Sequence, residues 1–93
     1  MANKTSYQYQ TELLAKLKEQ LEIFREDLST VSRNYKTSIQ SLHDQEGMMD
    51  EIYEEYNSNY MKPTIEMINS ILERMDTEDL AFVEKELNFL ISR

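Results

Sequence analysis

The sequence lacks cysteine and tryptophan, and its 93 residues include a single glycine and a single proline. Without cysteine, disulfides, thiolate nucleophiles and zinc–cysteine sites are excluded. Glycine and proline mark turns, so a chain with one of each has few turns and must consist of long elements. Leucine, glutamate, lysine, glutamine and methionine are plentiful, and all of them favour helix. The sequence therefore predicts an all-α fold, and its length predicts a single domain.

Basic residues are also few, because 10 Lys and Arg stand against 18 Asp and Glu and leave a net charge of −8. Nucleic acids and anionic lipid surfaces attract basic stripes, so this charge argues against both partners and favours a basic protein surface. No run of about 18 apolar residues predicts a transmembrane helix, and no apolar stretch near the N-terminus predicts a classical signal peptide. We expect a cytoplasmic protein, or one exported without that signal.

The first half of the chain carries one long apolar stripe. Residues 1–6 are predicted to be a polar, frayed tail, with a helix starting between Thr5 and Gln8. Beyond that point apolar residues recur mainly in steps of three and four, which is typical of a helix that packs against other helices. The stripe consists of Tyr7, Leu14, Leu17, Leu21, Phe24, Leu28, Val31, Tyr35 and Leu42.

Gly47 predicts the end of this helix, since glycine commonly supplies the left-handed residue that terminates a helix. We place a tight turn at residues 44–48, with a second helix after it. Pro63 lacks a backbone donor and would disturb that helix. The apolar pattern continues beyond Pro63 with a shift of about one residue, which indicates a kink more than a break.

A further break signal lies at Asp76 and Thr77, because both residue types cap helices. Either a short third helix spans residues 77–92, or the second helix runs through this point. In both cases the predicted architecture is a long antiparallel helical hairpin.

A turn near residue 46 pairs positions whose numbers add up to about 92. Tyr56 is then expected near Tyr35, and Met75 near Leu17. Two helices bury one stripe each, so the other apolar positions need a cover, either the C-terminal segment folded back or a second chain. Two hairpins together would make a four-helix bundle. The positions left over are Leu13, Ile23, Met48, Met67, Ile71, Phe82 and Phe89.

Few residues suggest chemistry. His43 is the only histidine, and we interpret it as a surface residue at the end of the first helix. The acidic residues around the turn do not follow the calcium-loop spacing. They are interpreted as a solvated turn, with a docking surface for a basic partner as the alternative. Phosphate-binding loops and nucleophile motifs are missing, so we expect no enzymatic activity, no cofactor and no bound metal.

Aromatic and methionine side chains near the turn are the better candidates for function. Three tyrosines recur at helical spacing after the turn, either as part of the hairpin core or as a partner surface. Methionines beside them fill gaps in a core or line an adaptable groove. The residues predicted to contact a protein partner are Tyr53, Tyr56, Tyr60, Met48, Met49, Phe82, Glu86 and Phe89.

Several of these features resemble the WXG100, or ESAT-6-like, proteins, which are small helical hairpins. The resemblance covers most of the chain in layout. It rests on Glu46-Gly47 at the turn, on Tyr53 and Tyr56, and on Pro63 followed by an apolar stripe. Two residues before Gly47 the family has tryptophan, where this chain has Gln45.

The resemblance implies a partner or targeting factor for an effector of type VII secretion, working as a homodimer or heterodimer with a helical protein. Phe82-Val83-Glu84-Lys85-Glu86 is similar to the Phe-x-x-x-Asp signal of tryptophan-less relatives. Two alternatives remain open at the level of sequence. One is a cytoplasmic secretion chaperone or adaptor, and the other is a structural coiled-coil subunit of a larger assembly.

Overall fold

A computed structural model describes residues 6–92, and every regular element in that range is helical. The predicted all-α hairpin of two long antiparallel arms is therefore confirmed. The first arm is α1 (Ser6–Asp44), so the predicted tail lies outside the described residues except for Ser6. The second arm contains α2 (Asp50–Tyr56), α3 (Lys62–Arg74) and α4 (Leu80–Ile91), joined by two π-helical segments, Asn57–Met61 and Met75–Asp79.

The turn lies where Gly47 predicted it, between the end of α1 and the start of α2. Gly47 adopts a left-handed backbone conformation with φ of 81°, which residues with a Cβ atom rarely adopt. The Met48 N–H donates to the Leu42 carbonyl at 3.0 Å and so closes the end of α1. Asp50 and Glu51 then occupy the first turn of α2, where negative charge suits the helix dipole.

The first π-helical segment ends immediately before the turn that contains Pro63. Here the backbone hydrogen bonds lengthen to five residues, as from the Lys62 N–H to the Asn57 carbonyl. Such a turn holds one residue more than an α-helical turn, and it is a recognised way of disturbing the α-helical ladder beside proline. The one-residue shift of the apolar pattern at Pro63 has this local origin.

The second π-helical segment lies at the other predicted break. Thr77 does not cap a new helix, because its hydroxyl donates to the Glu73 carbonyl at 2.9 Å. Asp76 accepts hydrogen bonds from Arg25 instead. The backbone keeps helical angles at Arg74, Asp79 and Leu80. Of the two sequence-based alternatives, the structure has the second arm running through, with α4 starting at Leu80.

The chain divides into two compact units. The first, the turn unit, consists of residues Glu26–Leu72. The second, the terminal unit, consists of the described residues up to Arg25 together with those from Glu73 onwards. Among the described residues the buried side chains are Met61 and Ile68 in the turn unit, and Met75 and Val83 in the terminal unit. Each described core is thus a narrow seam between two helices.

The spacing of inward-facing residues follows the π-helical segments. In the turn unit the half-buried Tyr53 precedes Met61 by eight positions, across the first π-helical segment. In the terminal unit Met75 precedes Val83 by eight positions, across the second. Elsewhere the step is seven, as from Met61 to Ile68. The extra residue of each π-helical turn therefore keeps the apolar positions on the inner face.

The face of α1 that packs against the second arm is narrower than the predicted stripe, and it is rotated around the helix axis relative to that stripe. Leu14, Leu21, Leu28 and Tyr35 are half-buried, as expected. The alternate members of the stripe are exposed, because the facing surface is completed by other residues of α1. The exposed members are Tyr7, Leu17, Phe24, Val31 and Leu42. The half-buried residues one position after the last four are Lys18, Arg25, Ser32 and His43.

The predicted pairing of the two arms holds in the turn unit and is wrong in the terminal unit. Tyr35 and Tyr56 meet as expected, with 2.8 Å between their hydroxyl oxygens. Arg25 bonds to Asp76, whereas the predicted register would have placed Met67 opposite it. Each π-helical turn adds about one residue to the second arm, which shifts the register in this direction.

Burial on the inner face predicts unequal effects of two methionine substitutions. Met61 is 2% exposed and Met67 is 59% exposed. We expect Met61→Ala to lower the free energy of unfolding by about 2–5 kcal/mol, because it leaves a cavity. Met67→Ala should change it by less than about 0.5 kcal/mol. Urea unfolding followed by circular dichroism measures both, and equal effects would contradict the assignment of the inner face.

Candidate partner-binding surface

The structure distributes the eight predicted contact residues between two levels of exposure. Met48, Tyr53, Tyr56 and Glu86 are half-buried. The other four are more than half exposed, namely Met49, Tyr60, Phe82 and Phe89. The side chains of this second group are the members of the predicted set that are open to a partner.

The three tyrosines of the second arm do not form one continuous ridge. Tyr53 stacks on His43 with 4.3 Å between ring centroids, at the end of the hairpin that holds the turn. Tyr56 meets Tyr35 edge-on at 6.5 Å, and the hydrogen bond between the two hydroxyls raises the pKa of Tyr35. Tyr60 lies 5.6 Å from Tyr56 and is 61% exposed. The first two tyrosines therefore join the arms, and the third faces outwards.

His43 joins the two sides of the turn. Its Nε2 lies 2.6 Å from Asp50 Oδ1 on α2, and its Nδ1 lies 2.8 Å from Asp44 Oδ1. A neutral imidazole has one N–H, so only the protonated ring donates to both carboxylates. The bond to Asp50 raises the pKa of His43 most, Asp44 adds to this, and partial burial opposes both. Sequence reasoning missed this contact, because it depends on how α2 leaves the turn.

The terminal unit has two unlike flanks. On one flank Arg25 bonds to Asp76 at 2.5 and 2.8 Å, which lowers the pKa of Asp76. On the same flank the Lys18 ammonium lies 3.7 Å from the Glu84 carboxylate. Leu17 lies about 100° around α1 from Lys18, and so faces the other flank.

The second flank of the terminal unit forms an open groove of about 300 Å³. Leu17 and Leu21 of α1 lie on one side of it, with Phe82 and Val83 of α4 on the other. Glu78 and Asp79 complete its lining. Phe82 is 57% exposed, although it borders an apolar surface. Phe82 was predicted from the sequence, whereas its neighbour Leu17 was not, because that contact depends on the true register of the two arms.

Exposed apolar side chains also occur in the turn unit. Large aliphatic and aromatic residues there lie one position away from the inner face, as Tyr60 does from Met61 and Met67 from Ile68. One position corresponds to about 100° around a helix. They therefore belong to a second stripe, which the pairing of the arms does not cover. In this unit the stripe includes Val31, Tyr60, Met67 and Ile71.

None of the described helices is both long and apolar enough to span a membrane. Within residues 6–92, no three His, Asp or Glu side chains converge in a way that would hold a metal ion.

Comparison with known proteins returns no matching protein family, no matching curated protein and no matching solved structure. The fold and the exposed apolar surface therefore define the class to which this chain can be assigned. A helical hairpin with so many exposed apolar side chains is typical of a partner-binding helical module.

The His43 contacts predict a pH dependence of stability. Because the folded-state pKa is raised above the usual 6.5, the stabilisation is complete below about pH 6.5 and is lost as pH rises through the raised value. We expect the thermal midpoint of the wild-type chain to fall between pH 6 and pH 8.5. His43→Gln should remove most of that fall, since glutamine does not titrate.

Circular dichroism melts at the two pH values compare the chains, and an NMR titration of the imidazole gives the pKa directly. A measured pKa at or below 6.5 would show that the two carboxylates do not hold the imidazolium.

Proposed function

We propose that this chain is a protein-interaction module without catalytic activity, and that it binds a helical partner through the apolar side chains left exposed on its arms. One observation carries the proposal. Beside the buried seam of each unit runs a second row of large apolar residues, and in the terminal unit it includes Phe24, Phe82 and Phe89, each more than half exposed. Contiguous exposed apolar surface of this kind marks interaction sites.

The spacing of this outer row supports a helical partner. In the terminal unit Leu17 and Phe24 are seven positions apart on α1, and Phe82 and Phe89 are seven apart on α4. Residues seven apart lie on nearly the same side of a helix. They offer the kind of ridged surface into which the side chains of another helix pack.

Of the specific roles, we propose the one implied by the resemblance to WXG100 hairpins, a partner or targeting factor for a type VII secretion effector. The support is limited to layout. The hairpin turns at Gly47, and Phe82 and Glu86 lie one turn apart on α4, with Phe82 exposed. Gln45 at the tryptophan position departs from the family pattern. A retained secretion chaperone and a structural coiled-coil subunit are the competing roles.

The proposed function is tested by measuring the mass of the chain in solution and by co-expressing it with candidate partners. We expect light scattering to give the monomer mass of 11.1 kDa at low concentration. Co-expression with proteins encoded beside its gene that begin with a long helix should yield one that co-purifies. Tyr60→Ser together with Met67→Ser should reduce that co-purification at least tenfold, because both side chains are exposed and apolar.

The matched control is Asn59→Ala with Glu66→Ala, two exposed polar positions beside the substituted ones, which should leave co-purification unchanged. A concentration-independent homo-oligomer that co-purifies with no neighbour would favour the structural subunit instead. Between the two secretion roles, recovery of the chain from the culture medium in step with its partner would exclude the retained chaperone.

A further inference from the structure

The two flanks of the terminal unit differ in what they leave open to solvent. The first is occupied by the ion pairs of Arg25 with Asp76 and Lys18 with Glu84. The second is the groove bordered by Leu17 and Phe82. Because α1 places Lys18 and Arg25 on the first flank, the second receives no cation from these two positions.

The polar part of the groove lining is acidic. Glu78 and Asp79 lie on the second π-helical segment, one turn before Phe82. Glu78 lies 3.7 Å from Arg74 on its own arm, and both of those side chains are well exposed. An exposed pair of this kind leaves most of the carboxylate's field available to a second cation. The groove thus combines an apolar floor with carboxylates along one edge.

A second copy of the chain fits this groove poorly. It would bring another net charge of −8, and symmetric pairing across the groove would bring two sets of Glu78 and Asp79 together. Like charges facing each other across an interface disfavour a complex. The same carboxylates would favour a partner with lysine or arginine beside its apolar residues.

We propose that the groove of the terminal unit binds an amphipathic helix of another protein, whose large apolar side chains pack between Leu17 and Phe82 while its lysine or arginine residues meet Glu78 and Asp79. This is the helix-in-groove form of recognition, in which apolar anchors supply affinity and charges supply orientation. The inference rests on the proposed function and adds to it the site and the chemistry of the partner.

Two fluorescein-labelled helical peptides test the proposal against the full chain by fluorescence anisotropy. Both carry leucine at the same heptad positions, and the flanking positions are lysine in one peptide and glutamate in the other. We expect the lysine peptide to bind at least tenfold more tightly, with an affinity that falls as salt is raised. Phe82→Ser should weaken its binding about tenfold or more, since that side chain borders the groove.

The charge requirement is tested with two double variants that remove the same charge from different places. Glu78→Gln with Asp79→Asn should weaken binding severalfold and flatten the salt dependence. Glu54→Gln with Glu55→Gln acts on exposed residues of α2 in the turn unit, and should leave the affinity within twofold. Circular dichroism melts confirm that each variant is folded.

Several results would overturn the proposal. Equal losses in the two double variants would mean that the lysine peptide responds to net charge alone. Full binding to the Phe82→Ser chain would place the peptide elsewhere. A stable homodimer that dissociates on Phe82→Ser would make a second copy the occupant. In that last case the groove is still an interaction surface, so the proposed function stands. The proposal that a basic amphipathic helix binds there would be rejected.

Discussion

A pair of antiparallel helices buries only the side chains on the two surfaces that face each other, and that limit governs this molecule. In the turn unit the seam buries Met61 and Ile68, and in the terminal unit it buries Met75 and Val83. Apolar burial is the main favourable term in folding and opposes a large loss of conformational entropy. With so few buried side chains, each unit gains stability when another chain covers its outer apolar row.

The two π-helical segments are a consequence of the same limit. Eight residues of a regular α-helix turn about 80° beyond two full turns, so the steps of eight at Tyr53–Met61 and Met75–Val83 would carry one residue of each pair off the inner face. The wider π-helical turn takes up the extra residue and keeps both on that face. Pro63 fits the first segment, because its missing N–H removes a hydrogen bond that the wider turn has already altered.

Local chemistry explains which parts of the fold the sequence predicted. Gly47 marked the turn because a left-handed backbone favours glycine, and the absence of other turn residues required long helices. The rotation of α1 was not predictable in the same way, since Leu17 and Lys18 are both compatible with a helix and differ only in which neighbour they meet. Lys18 lies 3.7 Å from Glu84 of the other arm, and that contact depends on the register of the two arms.

The candidate surface was predicted in part for the same reason. Phe82 and Phe89 were identified because periodicity placed them outside the seam, and both are more than half exposed. Phe24 and Leu17 were assigned to the core, because a broad apolar stripe does not reveal which of its edges a single partner helix will cover. The contact between His43 and Asp50 lay beyond sequence reasoning, since it joins two helices across a turn of unknown path.

Charge then selects which partner can bind the exposed apolar groove of the terminal unit. Apolar area attracts any apolar surface, including that of another copy, and does not by itself select a partner. The acidic residues beside the groove add selectivity, because a partner must supply cations or leave carboxylates desolvated and unpaired, which is costly. Lys18 and Arg25 are engaged by Glu84 and Asp76 on the opposite flank. Placing these two cations on that flank leaves Glu78, with its exposed partner Arg74, and Asp79 beside the groove, which suits a partner of opposite charge. This separation allows the helix pair of the terminal unit to hold itself together and still discriminate against its own copies.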